Sequence, residues 1–576
     1  MVTPSHWLLP SVDSEQVGTL ARALQVHPLA ARVLVNRGYA DADSAERFLR
    51  PTFEHLHDPF LLRGMKEAVG RLARAVTGGE KILLYGDYDV DGTCSIVILK
   101  KAIELAGGRA DFHVPHRLRD GYGMRADVIE RAAAEGVSLV VTVDTGIRAN
   151  EAIARARESG IDVIVTDHHL PEHDLPPAVA ILNPNQPGCP YPDKNLCGAG
   201  VTFKLILALM RELGWPEAKL RRMAESLLKL VALATVADVA PLTGENRVIV
   251  KYGLEGLREV RNAGLRALMQ VAGFNEGEIP TAGQVAFRIA PRINAAGRMA
   301  NARDVIELFL TDDEARARAL AGQLQALNQD RQQAESEIVR QITDECARTP
   351  VTDGQMALVF CGKGWHRGVV GIVASRLVEQ FHRPVFVLSD DGDGEAQGSG
   401  RSLHPFHLLE ALQSMEGLFT RFGGHRQAAG LGLPVARVGE FRRRINEYAA
   451  ARLRPEDFRP VIEVDAQVEL AEVNDASVAD VLSLAPFGFG NPAPVFAAHG
   501  LEVAEAPVVL KDRHLRLKLR QNGRMLVVKA WNFAERRHEL RFGSNVDAVI
   551  SFEADSYALS RGYAGWSATL KDVRPA

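Results

Sequence analysis

Three aspartates at alternate positions, Asp87, Asp89 and Asp91, stand in the stretch KILLYGDYDVDGTCS (residues 81–95), directly after an apolar run that reads as a buried strand. Like charges at the mouth of a core strand repel one another and resist desolvation, so such a cluster calls for protonation or for a cation. In a locally extended segment all three carboxylates lean to one side. A polar turn or a helix N-cap is the plainer use of the same residues. The arrangement recurs, however. SLVVTVDTGI ends its strand at Asp144, and DVIVTDHHL ends its strand at Asp167, His168 and His169. Asp238 closes a long apolar helix in ATVADVAPL, where an ordinary C-terminal turn residue is the alternative. Carboxylates and imidazoles without cysteine suit Mn2+ or Mg2+ better than a structural zinc. The set exceeds what one ion needs. Two ions sharing a bridging carboxylate, at the roughly 3.5–4 Å spacing of phosphate-cleaving centres, would use it all and generate hydroxide near neutral pH.

These residues must be brought together by the elements that carry them. Between about 80 and 185, strand patterns (KILLY, DFHVP, SLVVTV, DVIVT) alternate with amphipathic helices, which predicts βαβ units and a parallel, doubly wound sheet. The carboxyl edge of such a sheet is where ligands bind. Two apolar helices follow, and then a stretch at about 312–347 that is rich in helix formers and charged on most sides, expected as a long helix bridging two domains rather than a core element. A second α/β unit begins at QMALVF and runs to about 455. From about 460 only strand patterns remain, with Asn-Gly between two alternating runs as a hairpin signal. About five such strands fit a small barrel of the OB type. The fold class is therefore α/β: a parallel-sheet lobe and a smaller second lobe joined by a long helix, plus a C-terminal all-β barrel. The expected boundaries are a helical preface at 1–45, the first lobe at 46–310, the connecting helix at 311–348, the second lobe at 349–457 and the barrel at 458–576.

The 576 residues exceed one hydrophobic core. No apolar run has the length of a membrane span, and the first residues lack the pattern of a signal peptide. Five scattered cysteines point to a reducing, cytoplasmic setting rather than a disulfide framework. The net charge of -4 hides a basic C-terminal stretch: residues 511–576 hold 13 Lys and Arg against 7 Asp and Glu, which suits a phosphate-tracking surface. Phe487, Phe489 and Trp531 are able to stack bases, with core or hinge packing as the alternative. CPYPDKNLC (Cys189 to Cys197) reads as an ordinary loop rather than a metal knuckle.

The ordered set GDYDVDG, VDTG, DHH and ADVAPL resembles the DHH phosphoesterase superfamily. PHRLRDGYG, RINAAGRM, GWHRGVVGIVASR, GSGRS and GGH extend the likeness, over nearly the whole chain, to its bacterial single-strand-specific 5′→3′ DNA exonucleases. The resemblance implies a metal centre of Asp87, Asp89, Asp91, Asp144, His168 and Asp238, with Asp144 as the bridge, His169 at the catalytic edge beside Asp144 and Asp91, and Asp167 holding an imidazole. Superfamily pyrophosphatases carry a histidine where this chain has Tyr85, which leaves open which motif carboxylates bind an ion directly. A pocket for a terminal 5′-phosphate is implied at Arg117, Arg298, Ser399 and Arg401, with Gly423, Gly424 and His425 as a phosphate-contacting loop. The implied function is release of 5′-mononucleotides from single-stranded DNA with two Mn2+ or Mg2+ ions, in recombination and repair, alongside a RecQ-type helicase and single-strand-binding protein. Two alternatives stay open at this point: a superfamily phosphoesterase acting on short oligonucleotides or cyclic dinucleotides, and a non-catalytic single-strand-binding scaffold.

Overall fold

The computed structural model describes residues 5–11, 13–117, 119–121, 123–352 and 354–576; Leu118 and Tyr122 of the PHRLRDGYG motif lie outside the described residues, as do the first four of the preface. The chain opens with a short strand, β1 (His6–Leu8), and three helices, α1 (Ser14–Leu24), α2 (Pro28–Asn36) and α3 (Ala42–Leu49). Asp13 caps α1 and Asp41 caps α3 through their carboxylates. Their apolar faces are covered by the far end of the chain: Val17, Leu20 and Leu34 share one core with Phe496, Leu517 and Phe552 of the barrel. The His27 amide donates to Asp480 at 2.6 Å and Arg37 pairs with Asp465 at 2.7 Å.

The first lobe is built on five parallel strands, β2 (Ile82–Gly86), β3 (Ala110–His113), β4 (Leu139–Val143), β5 (Asp162–Thr166) and β6 (Ala180–Leu182), in the order β3-β2-β4-β5-β6. β2 and β4 are buried along their whole length, as expected of strands covered on both faces. The chain leaves β2 in one direction and returns past it to β4, so the crevice of a doubly wound sheet opens above these two strands. The helices of the lobe begin with α4 (Met65–Thr77), α5 (Val90–Leu105), α6 (Ala126–Ala134), α7 (Asn150–Glu158), α8 (Gly198–Glu212), α9 (Glu217–Ala237) and α10 (Gly244–Gly256). Four more follow: α11 (Ala263–Val271), α12 (Ala282–Gln284), α13 (Ala290–Met299) and α14 (Arg303–Leu310), with a π-helical turn (Val285–Ile289) between α12 and α13.

The long helix is α15 (Glu314–Arg348), capped by Asp313. It differs from the expected bare bridge. Ala317, Leu320, Ala321 and Leu324 are part of the first lobe's core, and Ile338 and Ile342 are part of the second lobe's. Its apolar positions are confined to narrow stripes near each end, which is why the whole window reads as polar.

The second lobe is a mixed sheet of β7 (Leu358–Lys363), β8 (Val385–Asp390), β9 (Glu395–Arg401), β10 (Arg421–Gly424) and β11 (Ala428–Pro434), ordered β10-β11-β9-β8-β7, with α16 (Val370–Phe381) packed on it. The C-terminal part departs from five simple strands. β12 (Val461–Glu463) leaves the barrel and pairs in parallel with β1. The barrel sheet has seven strands: β13 (Ala466–Gln467), β14 (Val495–Val503), β15 (Val508–Leu510), β16 (His514–Gln521), β17 (Arg524–Ala530), β18 (Asn545–Ala554) and β19 (Trp566–Pro575), closed by pairing of β14 with β16. Asn522 and Gly523, both at positive φ, make the two-residue turn between β16 and β17. No helix among the described residues is long and apolar enough to cross a membrane, and the five cysteines are unpaired.

Candidate active site

The three motif aspartates do not form one extended run. Asp87 follows β2, Asp89 is the N-cap of α5, its carboxylate accepting from the Gly92 amide at 3.0 Å, and Asp91 lies in the first turn of that helix. The plain reading of a helix cap is thus true of Asp89, yet the carboxylates still converge with those from other strand ends. Oxygen atoms of Asp87, Asp89 and Asp144 lie within 4.8 Å of one another, and so do ligand atoms of Asp91, His168 and Asp238. Asp144 links the two groups: its Oδ1 is 3.2 Å from His168 Nε2, which is itself 3.7 Å from Asp238 Oδ2 and 3.8 Å from Asp91 Oδ2.

The backbone is shaped around these side chains. Asp144 has φ 58°, a left-handed conformation that an aspartate holds only at a cost. A side chain at Gly198 would sit 2.6 Å from the Asp144 Cβ, so only glycine permits the close approach of the α8 N-terminus. That helix end is aimed at Asp91, whose two oxygens accept from the Gly198 amide at 2.6 Å and the Ala199 amide at 2.7 Å. Each oxygen keeps a second lone pair for an ion. Asn183 and Asn185 donate to the carbonyls of His169 and His168, both at 2.8 Å, fixing the DHH turn from below. Sequence reasoning missed Gly198, Ala199 and both asparagines, because their partners lie far away in the chain.

Burial dominates the electrostatics. It pushes the carboxyls of Asp87, Asp91 and Asp144 above the usual range, with neighbouring carboxylates adding to the effect; at Asp238 burial and the charges of Asp91 and Asp89 carry the value up to about 9. Burial also lowers His168. Asp167 behaves differently. Its Oδ1 accepts from the amides of His168 (2.7 Å) and His169 (3.1 Å) and pairs with His169 Nδ1 at 2.7 Å, while Oδ2 accepts from the Ile147 amide at 2.9 Å. Burial opposes a charged His169, but the Asp167 carboxylate outweighs it and raises the imidazole to about 9.

The donor set fits a pair of hard divalent cations. Oδ1 of Asp87, Oδ1 of Asp144 and Nε2 of His168 are buried and make no hydrogen bond within the protein, an expensive state that a coordinated ion removes. Oxygen donors with one imidazole suit Mn2+ or Mg2+. Tyr85 takes no part. It is fully buried in the sheet and donates its hydroxyl to the Gly123 carbonyl at 3.1 Å.

A cavity of about 700 Å³ lies beside this centre, between the lobes, and Arg117, Arg298, Ser399, Arg401 and Gly423 all line it. Arg401 Nη1 donates to Ser399 Oγ at 2.6 Å, Arg298 Nη1 to the Gly368 carbonyl at 3.0 Å, and the Arg117 guanidinium stands 4.9 Å from the centre of the Tyr88 ring. Burial, with the charges of Arg117 and Arg401, lowers Arg298 to about 10, and burial lowers Arg401 as well. Arg119, Arg367 and Arg421, which sequence reasoning did not select, share the lining. The α16 N-terminus, through Val370 and Gly371, lies on the same wall. Gly424 and His425 stand apart from this cavity. His425 is exposed, and its imidazole is held below the usual range by partial burial and by the charges of Arg148 and His169.

The other sequence candidates are resolved as follows. Phe487 packs on the barrel core, Phe489 is exposed, and Trp531 is half exposed against His514. The basic excess of the barrel is partly spent on ion pairs, since Lys518, Arg520, Lys529, Arg536 and Arg574 each hold a carboxylate. The Cys189–Cys197 loop is an ordinary one, whose Tyr191 hydroxyl donates to Glu245 at 2.5 Å.

An acidic, imidazole-bearing centre at the edge of a parallel sheet, faced by a second lobe, defines a phosphoesterase of the DHH class. Family models for the DHH family N-terminal domain, the DHHA1 domain and the RecJ OB domain match residues 81–235, 353–451 and 464–562. The single-stranded-DNA-specific exonuclease RecJ of Bacillus subtilis (strain 168) is 38% identical over 553 residues, 95% of this chain and 68% of that protein. The RecJ of Escherichia coli (strain K12) is 36% identical over 514 residues, 87% of this chain and 88% of its own. The crystal structure of RecJ in complex with Mn2+ from Thermus thermophilus matches with a TM-score of 0.84 at 32% identity, covering 99% of this chain and 80% of that one. The chain belongs to the RecJ family.

Proposed function

We propose that this protein removes nucleotides one after another from the 5′ end of single-stranded DNA, releasing 5′-mononucleotides. As a member of the RecJ family it is a metal-dependent, single-stranded-DNA-specific exonuclease. The observation that carries the reading is the pairing of two ligand clusters, joined through Asp144, with an open, arginine-lined cavity next to them.

In this reading Asp87, Asp89 and Asp144 hold one Mn2+ or Mg2+ ion, and Asp91, His168 and Asp238 hold the other, with Asp144 shared. Bound there, the ions supply Lewis acidity that makes a water nucleophilic at neutral pH and offsets charge on the scissile phosphate. His169 has Nδ1 committed to Asp167, so Nε2 is the atom that presents a proton to a phosphate oxygen. Arg117, Arg298, Ser399 and Arg401 receive the terminal 5′-phosphate, where guanidinium forks match its oxygens. Gly423, Gly424 and His425 contact the next phosphate along the strand. The lobes, both held by α15, meet around the cavity, where Arg298 of the first reaches the Gly368 carbonyl of the second; in this reading the slot between them takes one strand and the barrel grips that strand behind it. A cytoplasmic setting, substrate supplied by a RecQ-type helicase, handover from single-strand-binding protein, and a place in recombination and repair are supported by family membership and by the unpaired cysteines. No feature of the site favours a small-substrate phosphoesterase or a non-catalytic scaffold.

Digestion of strands labelled at either end tests the polarity. Loss of the 5′ label first, only with metal, and arrest at a duplex junction are expected. Equal loss from both ends would remove the terminal-phosphate pocket from the account.

A further inference from the structure

The segment APFGFGN, residues 485–491, connects α-helical residues that pack on the barrel to β14, and nothing in the hydrolytic chemistry uses it. It is nevertheless built into both halves of the molecule. On its own side Phe487 packs against the core shared by barrel and preface. The fully buried Asn491 donates from Nδ2 to the carbonyls of Leu484 (3.0 Å) and Pro486 (2.9 Å), while its Oδ1 accepts from Arg37 at 2.5 Å. On the other side the Phe489 carbonyl accepts from the Leu242 amide at 2.7 Å. Leu242 belongs to the core of the first lobe. A side chain at Gly488 would meet Leu242 Cδ1 at 2.7 Å, and one at Gly490, where φ is 72°, would meet Pro241 Cβ at 2.8 Å. Arg247 of α10 bolts the same place, donating to the Leu484 and Ala485 carbonyls, both at 2.9 Å.

What this loop touches begins three residues after Asp238. Between them lies Val239, a β-branched residue at φ 57° that is 59% exposed. A valine in the left-handed region is strained, and nothing buried about its side chain repays the cost. The turn is closed on the helix side by its own backbone, the Val239 amide donating to the Val236 carbonyl at 3.3 Å and the Ala240 amide to the Thr235 carbonyl at 3.2 Å, and on its far side the loop holds Pro241 and Leu242.

We propose that the Phe487–Asn491 loop of the C-terminal domain positions the metal-binding carboxylate of Asp238, so that the barrel sets metal affinity as well as gripping DNA. The loop acts as a positioning element, since none of its residues touches the ligand cluster. The proposal rests on the metal-centre reading above and adds to it a dependence on a domain whose expected role is strand binding.

Gly490→Ala in the full-length chain is the main test, with Gly488→Ala as the milder variant should the first fold poorly. Mn2+ is titrated by calorimetry, hydrogen exchange is followed at the Leu242 amide, and exonuclease rate is measured against Mn2+ and against strand concentration. Disturbing a group that orients a ligand costs about ten- to a hundredfold in metal affinity. The expected result is Mn2+ binding at one site weaker by about tenfold or more, faster exchange at Leu242, a fall in kcat that excess Mn2+ restores, and little change in KM for DNA. Adding Val239→Gly to Gly490→Ala should recover part of the affinity, because glycine keeps the left-handed turn without the clamp. Unchanged Mn2+ affinity despite faster exchange at Leu242, or a change in KM alone, would overturn the proposal. Wild-type protein that binds no Mn2+ would instead sink the metal centre itself, so the two failures are distinguishable.

Discussion

The metal centre and the neighbouring cavity are electrostatic opposites built by different means. The centre buries carboxylates: burial first, and then the charges of neighbouring carboxylates, raises Asp91 above its ordinary range and Asp87, Asp144 and Asp238 well above theirs. The cavity buries guanidinium groups, and burial with the neighbouring charges of Arg117 and Arg401 brings Arg298 down to about 10. Each region is uncomfortable alone and each is relieved by a ligand of the other sign: cations in one, phosphate in the other. In the proposed reading a phosphate ester spans both, with cations between it and the carboxylates. The difference in construction matters as much. Asp87, Asp144 and Asp167 follow the neighbouring strands β2, β4 and β5 of one sheet, while Asp89 and Asp91 open α5 and Asp238 closes α9, whereas the arginines come from a loop after β3, from α13, and from β9 of the second lobe. The ligands of the centre are thus supplied by one lobe, whereas the cavity exists only where two lobes meet.

Breaking the centre should have the largest effect. Asp144→Ala removes the carboxylate that links the two clusters and should lower exonuclease rate by about 10³-fold or more, with DNA binding retained in a gel-shift assay. Damage to the cavity should be smaller and selective. Arg401→Ala should weaken kcat/KM for 5′-phosphorylated strands by about ten- to a hundredfold, the worth of a charged hydrogen bond, and much less for strands ending in a 5′-hydroxyl. A uniform loss on both substrates would separate Arg401 from the terminal phosphate.

The smallest effect concerns stability. Without metal, the native protein keeps protons on the raised carboxyls that the unfolded chain releases near pH 4, so their contribution to stability is full below that pH and declines as pH rises toward about 9. Mn2+ competes with those protons. Its stabilisation over EDTA should therefore be larger at pH 8 than at pH 5.5, by about 3 °C in Tm. The opposite order would mean that the carboxyls are not the groups the ion displaces protons from.

The same contrast explains what was legible in the sequence. Asp87, Asp144 and His168 announce themselves because each follows an apolar strand, and strand ends of a parallel sheet converge whatever the loops do. Asp89 and Asp91 were readable as acids but not as a cap and a helix residue, since the spacing of two fits either conformation. Arg119, Arg367 and Arg421 carry no local signal, and only the docking of the lobes makes them neighbours. The long helix was visible as a helix, but burial of Leu320 and Ile342 in two separate cores was not, because a few apolar residues in thirty-five vanish into a charged window. The grip of Gly198 and Ala199 on Asp91 spans 107 and 108 positions, far outside any periodicity.

The covering of the preface by the barrel has a consequence for biosynthesis. The His27 amide finds Asp480 across 453 positions. At the ~5–20 residues per second of a ribosome, helices α1 to α3 wait about half a minute to a minute and a half with Val17, Leu20 and Leu34 uncovered. During that interval these helices, made well before the strands that cover them, are a stretch for a chaperone to shield.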